Sequence, residues 1–217
     1  MKAVRFTTDA EIAAAIPRVV SHLQNGGLLA YPTETVYGLG SRPHAEDVQA
    51  LAQLKGRRAG KPFLLLVSGR AMAEAQGLAF GDAANALARA FWPGPLTLVL
   101  PGGGGRLPDS LRGPEGGIAV RWTSHTAIVD LVATLGEPLT STSANLPGQP
   151  PAPGADAIVR DFQAAVNQGV LVVLDGGVLG NSPSSTVVDC TQPAPRLVRE
   201  GAITLSELRR AAGQLAP

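Results

Sequence analysis

A chain of 217 residues is long enough for one sizeable hydrophobic core, and 45% apolar residues with only 16% charged ones exclude a disordered chain. A formal net charge of +1 excludes a protein whose whole surface traps nucleic acid, so any phosphate recognition must be local. A single cysteine excludes an internal disulfide and a multi-thiolate metal site, and leaves Cys190 as a small buried residue on a strand.

In chain order, Thr8 and Glu11 have the spacing of a capping box. Ile12, Ile16, Val19, Val20 and Leu23 then recur at helical spacing, which predicts a helix over 9–24, with Pro17 starting a new turn or a kink. Gly26 and Gly27 stop it, and GLLAY (27–31) reads as a short buried strand ending at Pro32. Residues 45–54 are helical in spacing and run into KGRRAGKP, after which 63–67 is an apolar strand. Helices over 70–76 and 82–91 precede a strand at 96–100. A glycine-rich loop, a strand at 117–122 and a helix at 125–135 follow, and 139–142 leads into another loop. A helix over 154–168, strands at 170–174, 186–190 and 196–200, and a last helix begun by a Thr204–Glu207 capping box complete the chain. This alternation predicts an α/β protein, a mixed twisted sheet with flanking helices. We expect one domain over 1–217. No signal peptide or apolar run of about 20 residues is present, which predicts a soluble cytoplasmic protein without membrane contact.

Three segments could carry chemistry. Two of the three lysines, Lys55 and Lys61, share one run with Arg57 and Arg58. That run is either a solvated surface or a phosphate cradle, in which lysine supplies a point charge and arginine a planar fork. TSTSANLPG (140–148) places Ser141, Ser143 and Asn145 at alternating positions, which in extended backbone face one side; a self-satisfied turn has the same composition. YPTETVYGLG (31–40) combines threonine hydroxyls, Glu34 and glycines after a strand, which is either a tight connection packing Tyr31 and Tyr37 or a ligand loop at a strand's carboxyl end. PGGGGR (101–106) lacks the lysine and hydroxyl of a Walker A loop and reads as a mobile turn or lid. His22, His44 and His125 have no metal-ligand spacing, so no metal site is assigned.

Taken together, YPTETVYGLG, LKGRRAGKP (54–62) and STSAN (141–145) resemble the YrdC/Sua5 family of threonylcarbamoyl-adenylate synthases, and AVRW (119–122), SSTVVD (184–189) and LVREGAI (197–203) continue the resemblance in the same order. The resemblance implies a YrdC-like α/β twist with a concave basic cavity. It implies an enzyme, a nucleotidyltransferase that makes L-threonylcarbamoyladenylate and pyrophosphate from L-threonine, bicarbonate and ATP for threonylcarbamoyladenosine in tRNA. Lys55, Arg57, Lys61, Ser143, Asn145 and Arg199 look like the ATP-facing set, with Lys55 and Arg57 catalytic. Thr33, Arg121, Ser141 and Ser185 look like the threonine-holding set. Mg2+ on the phosphates, with no ligands named, and a downstream tRNA threonylcarbamoyl transferase machinery are implied partners. An RNA-binding module or an ATP-binding regulator using the same cavity is the alternative. The chain departs from the pattern at Leu66, Pro147 and Pro151, where histidine and serines are common.

Overall fold

The computed structural model describes residues 3–56, 62–180, 182–213 and 215. The Arg57–Lys61 part of the basic run, and with it the assignments to Arg57 and Lys61, therefore lies outside the described residues.

Helix α1 (Asp9–Gln24) starts at the expected capping box, in which the Thr8 hydroxyl accepts from the Glu11 amide and the Glu11 carboxylate accepts from the Thr8 amide. Pro17 does not interrupt it. Pro17 and Ala13, whose carbonyl loses its donor, both lie on the exposed face, where water can take the missing bond. The helix buries Ala15, Ile16, Val19, Val20 and Leu23.

The strands are β1 (Val4–Arg5), β2 (Leu28–Tyr31), β3 (Gly38–Gly40), β4 (Leu64–Leu66), β5 (Leu96–Leu100), β6 (Ile118–Arg121), β7 (Leu139–Ser143), β8 (Leu171–Asp175), β9 (Thr186–Asp189) and β10 (Arg196–Arg199). They form one mixed sheet in the order β1-β8-β2-β3-β7-β4-β6-β5-β9-β10. β8 pairs in parallel with β1 and β2, β4 with β6, and β5 with β9, whereas β3, β7 and β10 are antiparallel to their neighbours.

Side-chain alternation sorts this sheet into two faces. Leu28, Ala30, Leu65, Leu98, Val120 and Val173 join a core with α2 (Ala45–Leu54), α4 (Asp82–Phe91), α6 (Ala155–Asp161), α7 (Gln163–Asn167) and α8 (Leu205–Ala212). Leu29, Tyr31, Leu66, Leu139 and Leu174 face the other way, against α1 and α5 (Thr126–Leu135). Those two helices cover only part of their face. Over β4, β5, β6, β7 and β9 the same face is left as a cavity, so the fold itself creates the site.

Several expectations shift. The 154–168 helix is broken at Phe162, whose backbone leaves the helical region (φ −116°, ψ 28°) while its ring is buried. The segment at 139–142 belongs to strand β7, which runs one residue further before the expected loop begins. β3 lies inside the stretch read as a connection. Gly38 and Gly40 are needed there because a Cβ on the first would sit 2.8 Å from the Tyr31 ring and on the second 2.1 Å from the Thr140 carbonyl.

Candidate active site

The cavity holds about 520 Å3 and is floored by strand residues of one parity: Thr97 and Val99, Ala119 and Arg121, Ser141 and Ser143, Leu64 and Leu66, Val187 and Asp189. Register explains their meeting, since Leu66 lies beside Arg121, Leu64 beside Ser141, Thr97 beside Val187 and Val99 beside Asp189. The loop after β2 adds Thr33 and Thr35, and the segment before β9 adds Ser184 and Ser185.

β10 contributes Arg199 through a bulge. Leu197 pairs with Val188, and the next pair is Arg199 with Val187, so Val198 and Arg199 together oppose one residue. Without that extra residue Arg199 would point to the opposite face from Val198; with it, both line the cavity.

Arg121 is 4% exposed and held from three sides. Its Nε donates to the Gly94 carbonyl at 3.1 Å, Nη1 donates to the Thr35 hydroxyl at 3.1 Å, and Nη2 lies 2.7 Å from Glu34 Oε1 as an ion pair whose short approach is off the N–H direction. Glu34 also accepts from the Thr123 hydroxyl and from the Ser124 amide at 3.1 Å. Burial pushes the Glu34 carboxyl up, but the charge of Arg121 and the hydrogen bonds outweigh it and hold the group below the usual carboxylate range. Glu34 is therefore a carboxylate at neutral pH.

Arg199 is built differently. Its Nε and Nη2 donate to the Ser185 carbonyl at 3.2 and 2.7 Å, and Nη2 approaches the Ser185 hydroxyl at 3.3 Å. That hydroxyl is 2.9 Å from the hydroxyl of Thr97. No carboxylate pairs with Arg199 among the described residues. Burial first, and the like charge of Arg121 second, lower its proton affinity, so the two guanidinium groups sense each other across one hollow.

Lys55 is only 7% exposed at the end of α2, and its ammonium donates to the Ser143 carbonyl and the Asn145 side-chain oxygen, each at 2.7 Å, and to the Asn145 carbonyl. The Ser143 hydroxyl donates to the same Asn145 oxygen at 2.6 Å. Ser143 lines the cavity, while Lys55 and Asn145 stand behind it and fix the turn. Thr33 does two jobs: its hydroxyl donates to the Val36 carbonyl at 2.6 Å and accepts from the Thr35 and Val36 amides, closing its loop, and it borders the cavity.

Thr33, Arg121, Ser141, Ser143, Ser185 and Arg199 are thus brought together, with Lys55 and Asn145 directly behind. Thr35, Thr97 and Asp189 are lining residues that sequence reasoning missed. Their one available signal was a polar side chain at an odd place inside an apolar strand or turn. The histidines do not converge: His22 contacts the Leu28 carbonyl, His44 pairs with Glu137, and His125 senses the charge of Glu34. Among the described residues no group of three or more His, Cys, Asp or Glu is placed to hold a metal ion, and no helix is long and apolar enough to cross a membrane.

The Sua5/YciO/YrdC family model, described as telomere recombination, matches residues 21–201. A threonylcarbamoyl-AMP synthase of Pyrococcus abyssi is 34% identical over 194 residues, covering 89% of this chain and 56% of that protein. One of Thiobacillus denitrificans is 39% identical over 176 residues, covering 81% of this chain and 90% of the relative. The crystal structure of P. abyssi Sua5 complexed with L-threonine superposes with a TM-score of 0.85 at 31% identity, over 99% of this chain and 61% of that one. The chain spans little more than half the length of the Pyrococcus abyssi and Bacillus subtilis relatives.

Proposed function

Because this chain belongs to the Sua5/YciO/YrdC family, we propose that it is a cytoplasmic L-threonylcarbamoyladenylate synthase, acting as one YrdC-like domain and using ATP, L-threonine and bicarbonate. The observation that carries this is the meeting of Arg121 and Arg199, from distant strands, in one hydroxyl-lined hollow.

The threonine amine adds to the bicarbonate carbon with loss of water. A carbamate oxygen then attacks the α-phosphorus of ATP, the bond to the bridging oxygen breaks, and pyrophosphate leaves. Every reactant is anionic, so positioning and electrostatics can supply most of the acceleration without a nucleophilic side chain. Arg121 is the cation for the carboxylate of threonine, with Thr33, Ser141 and Ser185 as hydroxyl partners. Arg199 and Ser143 face the nucleotide, Lys55 and Asn145 hold the Ser143 turn in place, and the family resemblance assigns Arg57 and Lys61 to the ATP as well. Magnesium would be held by the phosphates and would offset their charge; Asp189 and Glu115, acids that line the cavity, lie 3.4 and 4.0 Å from Arg196. The product passes to tRNA threonylcarbamoyl transferase machinery, and RNA contact belongs to that hand-over.

Pyrophosphate release measured with each substrate withheld in turn is the test. Synthesis requires both threonine and bicarbonate. Release independent of threonine, or ATP binding without turnover, rejects the proposal in favour of an RNA-binding module or a nucleotide-binding regulator.

A further inference from the structure

Glu34 makes contacts that a merely structural acid would not need. Its carboxylate meets the guanidinium of Arg121 at 2.7 Å on the wall of the cavity, and it also takes hydrogen bonds from Thr123 and Ser124 at the entry to α5. Arg121 already has two neutral acceptors, the Gly94 carbonyl and the Thr35 hydroxyl, which would suffice to fix its orientation. The added effect of Glu34 is on charge. His125 beside it is not a second cation, because burial holds its imidazole below its ordinary value even against the pull of Glu34.

We infer that Glu34 is a specificity-determining charge, which neutralises Arg121 so that phosphate groups are kept to the Arg199 side of the cavity and the Arg121 side is left to the amino acid. The inference rests on the proposed synthase activity for the identity of the amino acid, but its electrostatics stand alone. Two unpaired guanidinium groups in one hollow would draw a polyphosphate onto both, since several negative charges sum over both cations. With its carboxylate attached, Arg121 is a neutral pair whose field falls off steeply, and Glu34 repels a polyanion directly. A carboxylate with an ammonium or carbamate neighbour loses far less, because it needs only the remaining N–H donors of Arg121.

Calorimetric titration with inorganic pyrophosphate and with L-threonine tests this on the wild-type chain, Glu34→Gln and Glu34→Asp. Glu34→Gln should bind pyrophosphate about tenfold more tightly at low salt, with the gain shrinking as salt rises, while binding threonine no better than wild type. Glu34→Asp keeps the charge and should show no gain. A structural role alone would weaken both ligands in Glu34→Gln, and pyrophosphate affinity equal to or below wild type would overturn the inference. Should the buried unpaired Arg121 prevent folding of that variant, Glu34→Gln combined with Arg121→Gln removes both charges and should bind pyrophosphate within about twofold of wild type. A tenfold fall in the double variant would show that Arg121 presents net charge to phosphate, which sinks the idea. Wild-type protein that binds no threonine would defeat the synthase reading instead, leaving the pyrophosphate comparison to judge Glu34.

Discussion

Lys55 shows what a charged side chain requires in order to sit almost out of water. Its ammonium is surrounded by the Ser143 carbonyl and both oxygens of Asn145, so the cost of desolvation is offset by charge-assisted hydrogen bonds. Lys55→Met keeps the length and removes the donor: the Asn145 carbonyl loses its partner, while the Ser143 carbonyl and the Asn145 side-chain oxygen keep only the Asn145 amide and the Ser143 hydroxyl. We expect a loss of about 1–3 kcal/mol, read as a lower midpoint of thermal unfolding, together with slower pyrophosphate release because the Ser143 turn is loosened. An unchanged midpoint would refute the tethering role. The resemblance puts Lys55 in the ATP-facing set; in the structure Ser143 lines the cavity and Lys55 braces its turn. That difference is not legible from composition, because a lysine that touches phosphate and one that braces the residue touching phosphate look alike in a string. Arg121, by contrast, comes from the resemblance carried by AVRW and not from any local pattern, and its partner Glu34 lies 87 positions away with nothing in the string to link them.

Helix ends were the most readable elements. Both capping boxes form, at Thr8 with Glu11 and at Thr204 with Glu207, because a hydroxyl three residues before a carboxylate satisfies two amides with no help from the rest of the fold. Thr8→Ala should cost about 1 kcal/mol in denaturant unfolding. Hydrogen bonds from Thr7, with those from Thr8 and the charge of Arg5 assisting, hold the Glu11 carboxyl at about 2, below its ordinary 4.5. Its folded value is the lower one, so its contribution is complete above about pH 4.5 and fades as pH falls towards 2. Glu11→Gln should therefore flatten part of the acid limb of a stability-against-pH curve in that window and change nothing else in its shape. Strand β3 was unreadable for the opposite reason. Two of its three residues are glycine, which local preference places in turns, and only the close approach of the Tyr31 ring and the Thr140 carbonyl makes glycine obligatory there.

At the scale of the molecule, the mixed sheet with flanking helices was foreseeable from the alternation of elements, whereas the order of ten strands was not, since β8 inserts between β1 and β2 from a point some 140 residues away in the chain. The cavity is a by-product of that order: helices shield one face throughout and the other face only beside α1 and α5. Its residues span positions 33 to 199, so the hollow exists only once the chain has closed over that distance.

The bulge in β10 has a dynamic corollary. Arg199 rides on a border strand anchored along one side only, by β9, so peeling of that border would withdraw the cation while the remaining nine strands stay paired. Amide deuterium uptake at 197–199 should then outpace that of β5 and β6 in the free protein and slow markedly when nucleotide is added, as occupancy clamps the fraying margin.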